Sequence, residues 1–186
     1  MMKHSRDRNG CQNPMLKYCT YISCLGPIHI ARTKAGVSDL SIALEADLFV
    51  KKLKRAHSNE VVEPVYDEGA FARLFSELDR YFNGRVVCFN EPLDLIGTPF
   101  ELSVFHVMQR IPFGKTLSYG ELAATINKPK AARAVGHACG FNPVPIIVPC
   151  HRVVRSDWAR NGSIGGYTGG VWIKKALLEL EGTTRN

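Results

Sequence analysis

The chain has 186 residues, a length for one large domain or two small ones, and its 45% hydrophobic content supports a sizeable core. A net charge of +7 points to a polyanionic partner, nucleic acid first. No apolar run approaches the roughly 20 residues of a membrane span, and Met1 to Asn13 lacks the apolar centre of a signal peptide, so an intracellular protein is expected.

Residues 1–14 read as a disordered leader. Leu16, Tyr18, Thr20 and Ile22 then alternate with polar or small positions, Cys24-Leu25-Gly26-Pro27 makes a turn, and Ile28 to Arg32 returns, predicting a hairpin. A third strand is expected at Val37 to Ile42, an amphipathic helix at Leu44 to His57 and a short strand at Val61 to Val65. Phe71, Leu74, Phe75, Leu78 and Phe82 share one helical face, which Gly84 ends. Val86 to Phe89 reads as a last strand, and Asn90 to Gly97 as a linker. The first half is thus a small α/β module with no catalytic constellation of its own.

The second half is mostly helical. Thr98, Pro99 and Glu101 form a capping box that opens a helix with Phe100, Val104, Phe105, Met108 and Ile111 on one face. Ser118 and Glu121 form a second box, ahead of Leu122, Ala123 and Ile126. After the turn Asn127-Lys128-Pro129, Lys130 to Cys139 predicts an Ala-rich helix stopped by Gly140, and the pair reads as a helix-turn-helix. A last helix is expected from Val171 to Glu181, with Gly182 beyond it.

Cys150 carries the chemistry. It follows the apolar run Pro143 to Val148 inside Pro149-Cys150-His151-Arg152-Val153. A thiol becomes a strong nucleophile when a neighbour lowers its pKa. His151 cannot easily share a strand face with it, so the histidine is expected to act through a water, oriented by a carboxylate such as Glu179 or Glu181. The helix after the turn offers one long cation, Arg133, among Ala131, Ala132, Ala134 and Ala138; a reader of base sequence carries several long polar side chains. Gly162 to Gly170 sets Tyr167 and Thr168 among glycines, which suits close backbone approach to a flat ligand. The six cysteines (Cys11, Cys19, Cys24, Cys88, Cys139 and Cys150) show no CxxC spacing and read as free thiols. Cys11, Cys19, Cys24 and His29 fit no zinc pattern, and neither metal nor cofactor is expected.

Pro149 to Val153 resembles the active-site signature of the O6-alkylguanine-DNA alkyltransferases, the methylated-DNA–protein-cysteine methyltransferases. The likeness extends through Ser118-Tyr119, Pro129 to Gly136, Asn142 to Pro145, Tyr167 to Gly170 and Leu177 to Gly182. It implies an α/β protein: a small ribonuclease H-like α/β domain over residues 15–92 and a mostly helical domain with a helix-turn-helix over 98–182. It further implies a single-turnover repair protein that binds double-stranded DNA in the minor groove and flips an O6-alkylguanine out. O4-alkylthymine stands as a second candidate lesion, and the chain is expected to act as a monomer. In this likeness Cys150 takes the alkyl group, while His151 and Glu181 make the thiolate. Asn142 is the hinge, Tyr119 rotates the nucleotide and donates to the base, and Arg133 fills the gap in the stack. Ala132 and Gly136 lie with them on the DNA-binding helix. The carbonyls of Cys150 and Val153 and the amide of Thr168, with Tyr167 and Gly169, hold the guanine. The workplace implied is the cytoplasm, or the nucleus in a eukaryote.

Two features depart from the family pattern. The loop around Asp157-Trp158-Ala159-Arg160 is longer, with Trp158 a candidate lid over the alkyl pocket, and Cys24 stands where many relatives have Pro. A lesion binder without transfer, a helix-turn-helix regulator and a cysteine hydrolase are the competing readings. Cys150 itself, the sparse cations of the Lys130–Cys139 helix and the lack of a separate triad weigh against them in turn.

Overall fold

The computed structural model describes residues 16–56 and 63–183. The proposed leader, Cys11, and Val61 and Val62 of the expected short strand lie outside these residues.

Strands β1 (Lys17–Ser23), β2 (Gly26–Arg32) and β3 (Val37–Ile42) form an antiparallel meander, and β4 (Val65–Tyr66) lies parallel to β1 on its other side. Two residues join β1 to β2. Gly26 takes φ +98 there, and the Ser23 hydroxyl donates to the Gly26 carbonyl at 2.8 Å. Cys19, Ile28 and Ile30 turn one face of this sheet into the core, while helix α1 (Ala46–Ala56) covers the other through Phe49 and Leu53.

Helix α2 (Ala72–Phe82) buries Leu74, Leu78 and Tyr81 and ends before Gly84, whose φ of +70 suits a helix stop. The face expected from sequence holds at Phe71, Leu74 and Leu78. Phe75 and Phe82 are only half-buried, and Tyr81, one position before Phe82, is fully buried in their stead.

The strand expected at Val86 to Phe89 does not form: residues 85–90 carry neither helix nor strand. The reason lies in who takes the free edge of β3. Val37 donates to the Pro92 carbonyl at 2.8 Å and accepts from the Asp94 amide at 2.9 Å, so the presumed linker occupies that edge. Gly36 permits this approach, since a Cβ there would sit 2.2 Å from the Pro92 oxygen.

Both capping boxes form. Thr98 opens α3 (Pro99–Gln109) by accepting from the Glu101 amide, and Glu101 accepts from the Thr98 amide at 2.8 Å. Ser118 and Glu121 do the same for α4 (Tyr119–Thr125). A turn with Asn127 at φ +58 leads to α5 (Ala132–Gly140), which begins two residues later than Lys130 and runs through Gly140 rather than stopping before it. Short parallel strands β5 (Leu117–Ser118) and β6 (Val153–Val154) bring the start of α4 beside the cysteine segment. Helices α6 (Trp158–Asn161) and α7 (Val171–Leu180) complete the described chain. Residues of both halves, from Ile28 and Leu78 to Met108, Val135 and Leu177, share one continuous apolar core.

Candidate active site

The approach to the thiol is a strapped loop. Asn142 donates from Nδ2 to the Val148 carbonyl at 2.6 Å and accepts at Oδ1 from the Val144 amide at 3.1 Å, pinning both ends of Val144 to Val148. Between them the buried Ile146 is held at φ +74, a left-handed conformation that costs a β-branched residue of order 1–3 kcal/mol. The β3 strand anchors the loop from the other half: the Leu40 amide donates to the Pro143 carbonyl at 2.7 Å.

Cys150 opens a 3-10 turn, Cys150–Arg152, and is only 6% exposed. Burial raises its thiol pKa; the Asn142 side chain, the Tyr167 hydroxyl and the charge of Lys174 oppose that rise. Tyr167 Oη is itself buried and makes no full hydrogen bond among the described residues, so it faces the thiol at longer range.

His151 is fully buried and its Nε2 lies 2.8 Å from Glu181 Oε1. Burial lowers the histidine pKa, with Glu181 opposing, so the ring is neutral at pH 7. Burial alone would push Glu181 up, but hydrogen bonds and charges from His151 and Arg152 outweigh it and hold the carboxyl at about 2. An ionised carboxylate only accepts, so the single ring proton sits on Nε2. The other nitrogen, Nδ1, is then a bare lone pair, buried and without a hydrogen-bond partner among the described residues. Of the two carboxylates considered from sequence, Glu181 is the one in the site; Glu179 is exposed and pairs with Lys175 at 3.7 Å.

Three members of this cluster were not anticipated. Arg152 grips Glu181 with Nε and Nη2 at 2.9 Å each and donates from Nη1 to the Ile111 carbonyl at 2.6 Å. Tyr81 reaches in from α2 and donates to Glu181 Oε1 at 2.8 Å. Lys174, on α7, is fully buried and donates to the Val153 carbonyl at 2.7 Å, to Tyr119 Oη at 3.3 Å and to the Gly166 carbonyl at 3.4 Å. Burial brings the Lys174 pKa down to about 8, with Cys150 and Cys139 opposing. Its position was readable: Ile173, Lys174, Leu177 and Leu178 make the apolar face of α7, so the lysine stands on the buried side.

Cys150 lies between two cavities. The larger, of about 900 Å³, is walled by Tyr119, Arg133, Gly136 and Tyr167, with Arg155, Ser156 and Asp157 at its rim. Arg133 is exposed on α5, and a Cβ at Gly136 would meet the Tyr119 ring at 3.7 Å, an ordinary contact. Gly165 is pressed against the same ring: at φ +81, its Cβ would stand 2.8 Å from Tyr119 Oη. Tyr119 itself keeps its proton, since burial, then Cys139 and Cys150, push its pKa up to about 12. Thr168 ties the glycine loop to the end of α5, its hydroxyl donating to the Gly140 carbonyl at 2.9 Å. The smaller cavity, of about 400 Å³, runs from Cys150 past Pro143, Pro145, Tyr167 and Gly169 to Ile42 and Lys52 of the first half. Ala132 is half-buried on the wall of the larger cavity. Trp158, the candidate lid, sits half-buried on α6 and does not line the larger cavity, to which Arg155, Ser156 and Asp157 contribute instead. The carbonyl of Val153, assigned to guanine from the resemblance, already accepts from Lys174 and has one lone pair left.

A buried thiol, followed by a buried neutral histidine and opening beside a helix-turn-helix, suits group transfer from nucleic acid to the protein. Residues 99–183 match the family model for the DNA-binding domain of 6-O-methylguanine DNA methyltransferase, and residues 16–95 match the one for its ribonuclease-like domain. The chain is 40% identical over 167 residues to the methylated-DNA–protein-cysteine methyltransferase of Mycobacterium tuberculosis strain H37Rv, covering 90% of this chain and 93% of that one. It is 38% identical to the protein of the same name from Methanosarcina acetivorans, with 89% and 98% covered. Among solved structures it is similar to Mycobacterium tuberculosis OGT in complex with DNA (TM-score 0.75, 40% identity, 91% and 94% covered). It is also similar to the O6-methylguanine-DNA methyltransferase of Pyrococcus kodakaraensis KOD1 (TM-score 0.61, 29% identity, 90% and 99% covered). The chain belongs to the 6-O-methylguanine DNA methyltransferase family.

Proposed function

We propose that this protein repairs alkylated DNA directly, moving the alkyl group of an O6-alkylguanine onto Cys150 once per molecule. The observation that carries this reading is the bare Nδ1 of His151, buried next to the thiol residue while Nε2 is committed to Glu181.

The helix-turn-helix of α4 and α5 lies on the DNA minor groove, and the target base swings out into the 900 Å³ cavity. Arg133 takes the place of the flipped base in the stack. Tyr119, at the cavity wall, steers the nucleotide, with Ala132 and Gly136 giving α5 a slim approach to the duplex. Cys150 and Val153 carbonyls, the Thr168 amide, and Tyr167 and Gly169 receive the guanine.

His151 accepts the thiol proton, through a bridging water where the two are not in direct reach. The thiolate attacks the alkyl carbon in line with the bond to O6. The S–C bond forms, the C–O6 bond breaks, and its electron pair stays on the guanine. Tyr119 donates a proton to the base, and Lys174, hydrogen-bonded to Tyr119 Oη, stabilises the charge left behind. The thioether on Cys150 has no leaving group, so the protein stops there. No metal or cofactor enters these steps.

The division into modules over residues 15–92 and 98–182 forms part of this proposal, with the first module supplying β3 and α2 as supports for the second. O4-alkylthymine remains a second candidate substrate, with the protein acting as a monomer. None of the helices among the described residues is long and apolar enough to cross a membrane. A DNA substrate puts the protein's work in the cytoplasm, or the nucleus of a eukaryote.

The test is incubation with a duplex carrying O6-methylguanine, followed by mass spectrometry of the Cys150 peptide. One methyl on that peptide and one repaired base per protein are expected. Repair at many equivalents per protein, or a methyl on another residue, would overturn the reading.

A further inference from the structure

We propose that Tyr81, supplied by the N-terminal half, is a positioning residue for the reactive thiol: its hydroxyl holds Glu181 and the Nε2–H of His151 together and so keeps Nδ1 free for the Cys150 proton. This inference rests on the alkyl-transfer reading.

Packing does not explain the hydroxyl. The Tyr81 ring is fully buried among aromatic neighbours, with centroids 5.4 Å from Phe82, 5.8 Å from Phe89 and 5.9 Å from Phe113. A phenylalanine fills such a place, and a buried hydroxyl carries a desolvation cost unless it is hydrogen-bonded. Here it is bonded, across a hundred residues of chain, to a charged group of the site.

The directions of the bonds define its effect. Glu181 can only accept, so the Tyr81 proton points to Oε1 at 2.8 Å. The phenol oxygen then turns its lone pairs to His151 Nε2, 3.4 Å away. The Nε2–H therefore faces two oxygens, and a bare nitrogen there would face two lone pairs. The same pair of oxygens favours the imidazolium formed when the thiol gives up its proton. Burial, and then Glu181, push the phenol pKa well above its ordinary value, so it stays a donor through the neutral and mildly alkaline range.

Other groups also face this pair. Arg152, from the same turn, and Lys174, from α7, disfavour a positive His151; Glu181 favours it. Asn142, Tyr167 and Lys174 favour the thiolate of Cys150. Among the described residues, Tyr81 and the carboxylate are the hydrogen-bonding groups on the protonated side of the ring.

The experiment uses the full chain and Tyr81→Phe, with iodoacetamide as the probe of Cys150 and the rate followed from acid to alkaline pH. The expected result is a pH midpoint about one unit higher and a rate at neutral pH about tenfold lower, with the alkaline plateau unchanged. Methyl transfer from the lesion duplex should fall in the same proportion. In a His151→Ala background, Tyr81→Phe should move the midpoint no further. A uniform loss at every pH, or an unmoved midpoint, would overturn the proposal. If Tyr81→Phe does not fold, the unaltered protein still decides. Nitrogen NMR should show His151 protonated at Nε2 and bare at Nδ1, with a slowly exchanging Tyr81 hydroxyl proton; a proton on Nδ1 or a fast-exchanging hydroxyl would overturn it. Because iodoacetamide needs no lesion, a normal pH shift without methyl transfer would count against the repair reading and leave this one standing.

Discussion

The ammonium of Lys174 stands 5.5 Å from the centre of the Tyr119 ring and donates to its hydroxyl at 3.3 Å. It is a fully buried cation whose hydrogen bonds go to two carbonyls and a phenol rather than to a carboxylate. Such a charge is costly to bury, and it is useful where a thiolate has to be formed.

Lys174→Met should therefore separate stability from activity. Folding lowers this lysine from 10.5 to about 8, so between those pH values the unfolded chain holds more protons than the folded one. Stability contributed by this group rises with pH through that window, by up to about 3 kcal/mol. Denaturant titrations of the two proteins should show Lys174→Met at its greatest advantage below pH 8, with the gap closing as the pH rises to 10.5. Alkyl transfer at neutral pH should fall about tenfold or more, because the thiolate loses a neighbouring charge. A pH-independent stability gap would show that folding leaves the pKa of this lysine unshifted.

Arg133 is exposed on α5 and lines the larger cavity. Arg133→Ala should depress repair of duplex DNA by roughly a hundredfold, since extruding a base costs a few kcal/mol. Reaction with free O6-benzylguanine should change little. Equal losses on both substrates would make the arginine a structural residue.

Asn142→Ala removes both bonds of the strap over Ile146. A loss of about 2 kcal/mol in stability is expected, together with slower iodoacetamide labelling of Cys150, which loses a side chain that favours its thiolate. Thermal denaturation and labelling of the same preparation check the two effects.

Gly165→Ala places a methyl group against the Tyr119 hydroxyl at a backbone φ of +81. Rates on duplex DNA and on the free base should both drop, because the cavity wall itself moves. Unchanged rates would mean that the glycine loop shifts freely.

The sequence made the local features legible. Two capping boxes, the β1–β2 turn and the helix-turn-helix are set by neighbours a few residues apart, and they form, with the bounds of α5 alone displaced. The signature at Pro149 to Val153 located the thiol, and the end of the last helix supplied its carboxylate. Long-range choices were less visible. Tyr81 looks like any core aromatic on α2 until Glu181, far along the chain, is placed against it. Val86 to Phe89 has the composition of a strand, but Pro92 to Asp94 takes the edge of β3. Arg152 was read only as part of the signature, because its bidentate grip on Glu181 depends on how α7 docks.

Glu181 follows every other member of its cluster in the chain: Tyr81, Gly114, His151 and Arg152 all wait for it. During synthesis the cysteine is made well before the acid that organises its base. Until α7 docks, His151 lacks the carboxylate that fixes its ring proton on Nε2. The order of residues along the chain therefore makes the base the last part of this site to be completed.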